Sequence, residues 1–220
     1  MSLLEQYIRG ISARSRKKKF LQFMALMCPQ PEEKVLDVGV TDQEYAPWDN
    51  YLEKCYPWLS RITAVAPGEA PSFGERYPGV EFLQADGRAL PFADNAFAVL
   101  HSNAVIEHVG GREAQECFLR EMYRVARRGY VTTPNKYFPV EVHTRIPLLH
   151  VLLSKAMFDR VLGLAGKEWA RGGYMELLGV ADLRELCRRA GIRHYRMVRN
   201  RFLGFTLTLA IVWDKERVSL

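Results

Sequence analysis

The feature that most constrains the fold of this chain is a regular alternation of short apolar segments and helical segments between residues 34 and 134. Five apolar runs predict buried strands: Val35–Val38, Arg61–Ala66, Val80–Ala85, Phe97–Ser102 and Gly129–Thr133. Helices are predicted between them at Trp48–Tyr56, Glu69–Tyr77 and Arg112–Arg127. Such alternation with short connections is typical of a parallel sheet covered by helices on both faces. The sequence therefore predicts an α/β fold whose ligand site lies at the carboxyl ends of the strands.

The segments on either side of this core also carry clear patterns. Residues 1–28 predict one or two helices, because apolar residues recur at helical spacing before a proline-rich stretch. Near the other end, Val180–Ala190 predicts a helix that ends at Gly191. The closely connected strands Arg193–Arg199 and Phe205–Trp213 then predict an antiparallel hairpin at the end of the sheet.

One stretch, residues 136–178, interrupts the alternation and is rich in aromatic residues and leucine. It predicts a helical insertion close to the ligand site. A chain of 220 residues is long enough for one full domain. We therefore expect a single domain over residues 1–220, with N-terminal helices in residues 1–30 and an insertion that covers the substrate.

The net charge and the cysteine spacing limit which partners, metal sites and cellular compartment are expected. The net charge is +6 and the pI is near 9.2, which is typical of a surface that meets nucleic acid, an anionic membrane or an acidic substrate. An ordinary solvated basic face is the alternative. The four cysteines are too far apart for a CxxC pair or a Cys/His cluster, so no metal site is expected. Reduced cysteines without a signal peptide indicate a cytoplasmic protein.

Four segments occur in an order that is more specific than any one of them. They are "VLDVG", "RITAVAPGE", "LQADGRALPFADNAF" and "VLHSNAVIEHVGG", between Lys34 and Asn135. With them the chain resembles a class I S-adenosylmethionine-dependent methyltransferase of the type 11 group. The resemblance implies a Rossmann-like, mostly parallel seven-stranded sheet with an antiparallel C-terminal hairpin and helices on both faces. It also implies S-adenosylmethionine as the cofactor.

The resemblance assigns the turn after the first strand to the methionine end of the cofactor. Gly39 lets the backbone approach the ligand without a Cβ in the way. Asp37 is implied to face the cofactor's ammonium group, or else only to tie down the turn. Thr41 stands where the family has glycine. Its hydroxyl is expected either to bind the cofactor carboxylate or to cap a turn with Asp42.

The next two strand ends are implied to hold the ribose and the adenine. The family places an acid after the second strand, but this chain has Ala66 there and an acid only at Glu69. Glu69 is expected either to turn back to the ribose or to serve as a first-turn helix residue. Asp86 is implied to accept from the adenine amine, with the N–H of Gly87 or Arg88 meeting a ring nitrogen. A strand-end Asx turn is the alternative for Asp86.

The segment after the fourth strand is implied to line the reaction centre. Ser102 and Asn103 are expected to flank the cofactor. Glu107 and His108 are the candidate catalytic pair, with His108 as general base on a substrate hydroxyl, because imidazole titrates near neutral pH. The alternative is that His108 only bonds the backbone at a helix start.

The function implied is therefore methyl transfer, with O-methylation of a small-molecule or lipid-linked acceptor as the preferred reaction. The aliphatic stretches Ile146–Leu153 and Met157–Leu164 are suited to a hydrophobic substrate or a peripheral membrane contact. Ordinary core helices are the alternative. Nucleic acid is not expected as a substrate, because no "NPPY"-like run follows the fourth strand. A dehydrogenase would need G-x-G-x-x-G after the first strand, which is missing. A degenerate methyltransferase fold that binds without catalysis stays open.

Overall fold

The computed structural model describes residues 3–140, 149–168 and 175–217. Seven strands form a single sheet in the order β3-β2-β1-β4-β5-β7-β6. The strands are β1 Val35–Val38, β2 Ile62–Ala66, β3 Glu81–Gln84, β4 Phe97–Asn103, β5 Ala126–Pro134, β6 Arg196–Phe202 and β7 Phe205–Asp214.

Seven α-helices accompany the sheet in the described residues. They are α1 Leu3–Met27, α2 Tyr51–Cys55, α3 Pro71–Arg76, α4 Arg112–Val125, α5 Leu149–Leu152, α6 Lys155–Leu164 and α7 Val180–Arg189. The N-terminal residues form one helix rather than two, because no proline interrupts them before Pro29. Helix α2 begins at Tyr51, later than the sequence predicts, because Asn50 takes the left-handed conformation and its side chain bonds the backbone of Thr41.

The strand pairing confirms the predicted α/β architecture. The first five strands, β1 to β5, pair with one another in parallel. Strand β7 is antiparallel to both β5 and β6, so the last two strands form the predicted hairpin. This is the Rossmann-like arrangement, and it leaves β6 at one edge of the sheet.

Alternate strand residues build two cores, one on each face of the sheet. Leu36 and Leu100 belong to the core on the face covered by α4 and α7, together with Phe118. Val35 and Tyr130 belong to the opposite core, which α1 covers. Because β1 is buried on both faces, the side chain of every β1 residue is directed into one core or the other.

The insertion predicted at residues 136–178 contains two described helices, α5 and α6, while its described ends, residues 136–140 and 175–178, are not helical. Residues 141–148 and 169–174 lie outside the described residues. The covering of a substrate by this insertion, like the assignment of the whole chain to one domain, stays a prediction. No described helix is both long enough and apolar enough to cross a membrane.

Candidate functional site

A cavity of about 380 Å³ lies at the carboxyl ends of β1, β2 and β3 and beside the loop that follows β4. Its lining includes three of the residues that the sequence singled out after strands, namely Gly39, Asp86 and Gly87. Arg88 and His108 also line it. Parallel sheets bind ligands at this edge, and the volume lies within the range of small-molecule sites.

Two glycines allow the backbone to form the floor of the cavity. Gly39 has a φ of +102°, and a Cβ there would lie 2.1 Å from a methyl carbon of Val105. A Cβ on Gly87 would lie 2.7 Å from the ring of Phe118. Val105 and Phe118 line the same cavity, so each glycine is packed against an apolar wall of the site. Neither position accepts a side chain without movement of that wall.

The rim of the cavity carries an ion pair between Asp86 and Arg88. The Arg88 backbone N–H donates to Asp86 Oδ1 over 2.8 Å, and the Arg88 guanidinium donates to Oδ2 over 2.6 Å. This hydrogen bonding holds the pKa of Asp86 below its usual value. Both side chains are about half exposed, so the pair is open to solvent and to a ligand. Asp86 thus presents an ionised acceptor at the cavity rim.

A single 3₁₀ turn, Ile106–His108, brings His108 to the cavity. The adjacent Glu107 is fully buried and does not line the cavity. The Thr133 hydroxyl at the end of β5 donates to Glu107 Oε2 over 3.0 Å, and the N–H of Glu176 donates to the Glu107 carbonyl. Glu107 therefore holds the turn that carries His108, and the catalytic role assigned to this pair stays a prediction.

Four other predicted site residues lie outside the cavity lining. The Ser102 hydroxyl is buried and donates to the Val38 carbonyl over 2.9 Å. Asn103 accepts a hydrogen bond from the Thr132 hydroxyl. Thr41 donates to the Gln43 carbonyl, and the side chain of Glu69 is exposed. These bonds give three of the residues structural tasks, and the cofactor contacts assigned to all four stay predictions.

Asp37 also lies outside the cavity lining, because its side chain points toward the core beneath α1. It is 6% exposed, and the Nδ1–H of His101 donates to Asp37 Oδ1 over 2.7 Å. The Tyr51 hydroxyl donates to the other ring nitrogen of His101 over 2.7 Å. Burial lowers the pKa of His101 to about 3, so its ring is neutral. We assign the ring proton to Nδ1, because the carboxylate of Asp37 accepts at that nitrogen. This bond joins Asp37 to β4 rather than to the turn after β1, and both roles that the sequence offered for Asp37 stay predictions.

The same buried region holds two carboxyl groups with raised pKa values. Burial raises the pKa of Asp37 to about 7. Burial and the nearby charge of Asp37 hold the pKa of Glu53 well above its usual value. Because the charge of Asp37 acts on Glu53 within a buried site, the two carboxyl groups do not both ionise readily. We therefore assign the proton to Glu53 at neutral pH.

Lys19 is a buried cation that the sequence reasoning missed. It falls in the basic run "RSRKKK", yet it is only 5% exposed, and its ammonium group donates to Asn103 Oδ1 at the end of β4. Burial, with the charge of Arg16, lowers the pKa of Lys19 to about 7. Helical spacing could have found it, because Lys19 lies one turn before Phe23 on the buried face of α1.

Lys19→Met is expected to change how stability depends on pH. The pKa of Lys19 falls from 10.5 to about 7 on folding, so the folded protein binds fewer protons than the unfolded chain between these values. The free energy of unfolding of the wild type should therefore rise with pH relative to Lys19→Met, by up to about 1.4 kcal/mol per pH unit. Urea unfolding between about pH 7 and pH 9 measures this. Lys18→Met at an exposed position is the control, and parallel curves for all three proteins would refute the assignment.

Residues 36–131 match a family model described as a methyltransferase domain. The segment from β1 to β5 is therefore similar to a methyltransferase domain. The matched segment begins in β1 and ends in β5, and it contains every cavity-lining residue named above. A search of curated proteins finds no significant match in sequence.

Solved structures of methyltransferases are similar to this chain in fold. Magnesium protoporphyrin IX methyltransferase from Synechocystis, solved with S-adenosylhomocysteine, has a TM-score of 0.60 at 12% identity, covering 96% of this chain and 88% of that one. A possible histamine N-methyltransferase from Thermotoga maritima has a TM-score of 0.57 at 16% identity, covering 97% and 96%. A Burkholderia thailandensis enzyme, 1,6-didemethyltoxoflavin-N1-methyltransferase, solved with 1,6-didemethyltoxoflavin and S-adenosylhomocysteine, has a TM-score of 0.55 at 14% identity, covering 92% and 78%. These likenesses show the fold.

Proposed function

We propose that this chain binds S-adenosylmethionine in the cavity at the ends of β1, β2 and β3 and transfers its methyl group to an oxygen of a small-molecule or lipid-linked acceptor. One observation carries the proposal: the family-matched segment builds a cavity with a glycine floor and an ionised acid at its rim. Two structural neighbours are solved with S-adenosylhomocysteine, the product form of this cofactor.

The residues present fit the cofactor. Asp86 offers carboxylate oxygens to a donor such as an exocyclic amine, and charge-assisted bonds of this kind are the stronger ones. Phe118 and Val105 supply apolar walls for a flat ring. The guanidinium of Arg88 donates to both oxygens of Asp86 and to the Val109 carbonyl. It is about half exposed, so in this proposal it turns toward solvent when a ligand donor takes its place at Asp86.

The bound cofactor supplies an electrophilic methyl group that carries its own leaving group. The task of the chain is then to hold the acceptor oxygen in line and to remove its proton. His108 lines the cavity and takes the role of general base in this proposal. Buried Glu107, held by Thr133, is the positioning residue for the turn that carries His108.

The test is release of S-adenosylhomocysteine from S-adenosylmethionine with a panel of acceptors. The panel pairs each small or isoprenoid-linked hydroxyl compound with its amine analogue, so that transfer to oxygen and to nitrogen are separated. Asp86→Ala serves as the binding-defective variant, and Asp94→Ala, which removes a carboxylate that pairs with Arg124, is the matched control. Turnover with hydroxyl acceptors that Asp86→Ala loses supports the proposal. Binding without turnover of any acceptor favours a non-catalytic scaffold.

A further inference from the structure

The edge strand β6 and the segment just before it carry exposed arginines that have no acidic neighbours in sequence. Residues 191–213 contain no aspartate or glutamate but four exposed arginines, which are Arg193, Arg196, Arg199 and Arg201. None of the four forms an ion pair in the described part of the chain. By contrast, exposed Arg188 and Arg189 on α7 both bind Glu185. The β6 cations are therefore available to an anionic partner.

A groove of about 780 Å³ runs beside β6 and continues this basic surface. Arg184 of α7 lies on one side of it, Gln22 of α1 lies on the other, and Arg196 and Arg199 line it. It is larger than the cavity at the strand ends, but it lies against the edge strand rather than at the carboxyl ends of β1–β3. Arginines on an edge strand also prevent pairing with another sheet, so charge alone does not identify a ligand.

The turn that joins β6 to β7 gives the second, independent observation. Leu203 and Gly204 both have positive φ, +48° and +85°. Two-residue hairpin turns of this kind favour Asn-Gly, and a leucine in the left-handed region is strained. Yet Leu203 is 77% exposed and the adjacent Phe205 is 56% exposed. Neither burial nor backbone conformation accounts for an apolar residue at this position.

The turn lies at the same edge of the sheet as the cavity. Strand β7 runs antiparallel to β5, so its first residues lie beside the end of β5, where Thr208 pairs with Pro134. The backbone N–H of Asn135 donates to the Leu207 carbonyl, and its side chain donates to the Thr206 carbonyl. The apolar tip is thus tied to the carboxyl edge of the sheet.

We infer that the β6–β7 turn and the arginines of β6 form a docking surface for an anionic membrane. A turn that exposes two large apolar side chains suits insertion among lipid chains, and the adjacent arginines suit anionic headgroups. An acidic protein partner would be served by the arginines but would give no reason for an exposed leucine at the tip of the turn. Docking in this orientation brings the carboxyl edge of the sheet toward the bilayer. The inference needs no bound cofactor and does not depend on the proposed function.

Cosedimentation with vesicles tests this surface. Wild-type protein is expected to bind vesicles of phosphatidylcholine with phosphatidylglycerol and not vesicles of phosphatidylcholine alone. Leu203→Asn creates the favoured Asn-Gly turn, so this variant should fold at least as well as the wild type. Its partition coefficient between water and the anionic vesicles should fall about tenfold. Arg199→Gln with Arg201→Gln should lower it about 25-fold, since each cation contributes about fivefold.

Two control variants separate this surface from general charge and hydrophobicity. Leu21→Gln removes an exposed leucine from α1, and Arg188→Gln with Arg189→Gln removes two exposed arginines from α7. Both are expected to bind vesicles within about twofold of the wild type. Thermal melts check that each variant is folded. The inference is overturned if the wild type does not bind the anionic vesicles, or if Leu203→Asn and the β6 arginine variant bind as well as the wild type.

Discussion

His108→Gln is expected to lower the rate of methyl transfer by at least about 100-fold, because the proposed general base is lost. His108 lines the cavity on a turn held by Glu107, and glutamine keeps a polar side chain of similar reach without a titrating group. Binding of S-adenosylhomocysteine should stay within a few-fold of the wild type. The measurement is kcat with the acceptor found in the panel, together with titration of the product.

A pH profile distinguishes a base from a residue that only shapes the turn. The wild-type rate should fall on the acid side as an imidazole protonates, and this limb should vanish in His108→Gln. His194→Gln, at an exposed position after α7, is the matched control and should leave rate and profile unchanged. A His108→Gln enzyme with a near-wild-type rate would assign His108 to the turn alone.

Asp37→Ala is expected to lower the free energy of unfolding by about 2–4 kcal/mol, which corresponds to a fall in Tm of roughly 4–16 °C. The change leaves the buried Nδ1–H of His101 without its acceptor and opens a polar gap beneath α1. Asp37→Asn keeps an acceptor oxygen and should cost less than about 1 kcal/mol. Urea and thermal unfolding measure both variants.

The size of this effect separates a structural role of Asp37 from a cofactor contact. Asp94→Ala, at a largely exposed carboxylate, should change stability by no more than about 0.5 kcal/mol. If Asp37→Ala unfolds like the wild type but loses S-adenosylmethionine binding, Asp37 faces the cofactor as the resemblance implied.

Apolar runs were sufficient to predict β1, β2 and β4, because β1, β2 and most of β4 are buried on both faces and read as continuous hydrophobic segments. None of the β3 residues is buried as predicted, and β5 begins at Ala126, inside the predicted helix. Positions just after strands were also predictable, since parallel strands end at one edge of the sheet. Gly39, Asp86 and Gly87 come together there as that rule requires. The helix α2 was less predictable, because the side chain of Asn50 sets its start through bonds to Thr41 nine residues earlier.

The direction of individual strand side chains was the feature of the site that the sequence predicted least well. Asp37 lies between Leu36 and Val38, which belong to the core beneath α4, so strand alternation directs Asp37 toward α1. Sequence alone offers no partner for that carboxylate, because His101 is 64 residues away. Helical spacing places Lys19 on the buried face of α1, but its acceptor Asn103 lies on a distant strand and has no signal in the sequence.

Isothermal titration with S-adenosylmethionine and S-adenosylhomocysteine tests the central claim most directly, because it asks whether the cavity at the ends of β1, β2 and β3 is a cofactor site. Wild-type dissociation constants are expected to be on the order of micromolar. Asp86→Ala, which removes the acceptor oxygens, should weaken binding at least about tenfold, and Asp94→Ala should not. No heat of binding at about millimolar ligand, or equal binding by Asp86→Ala and the wild type, would show that the cavity is not this cofactor's site.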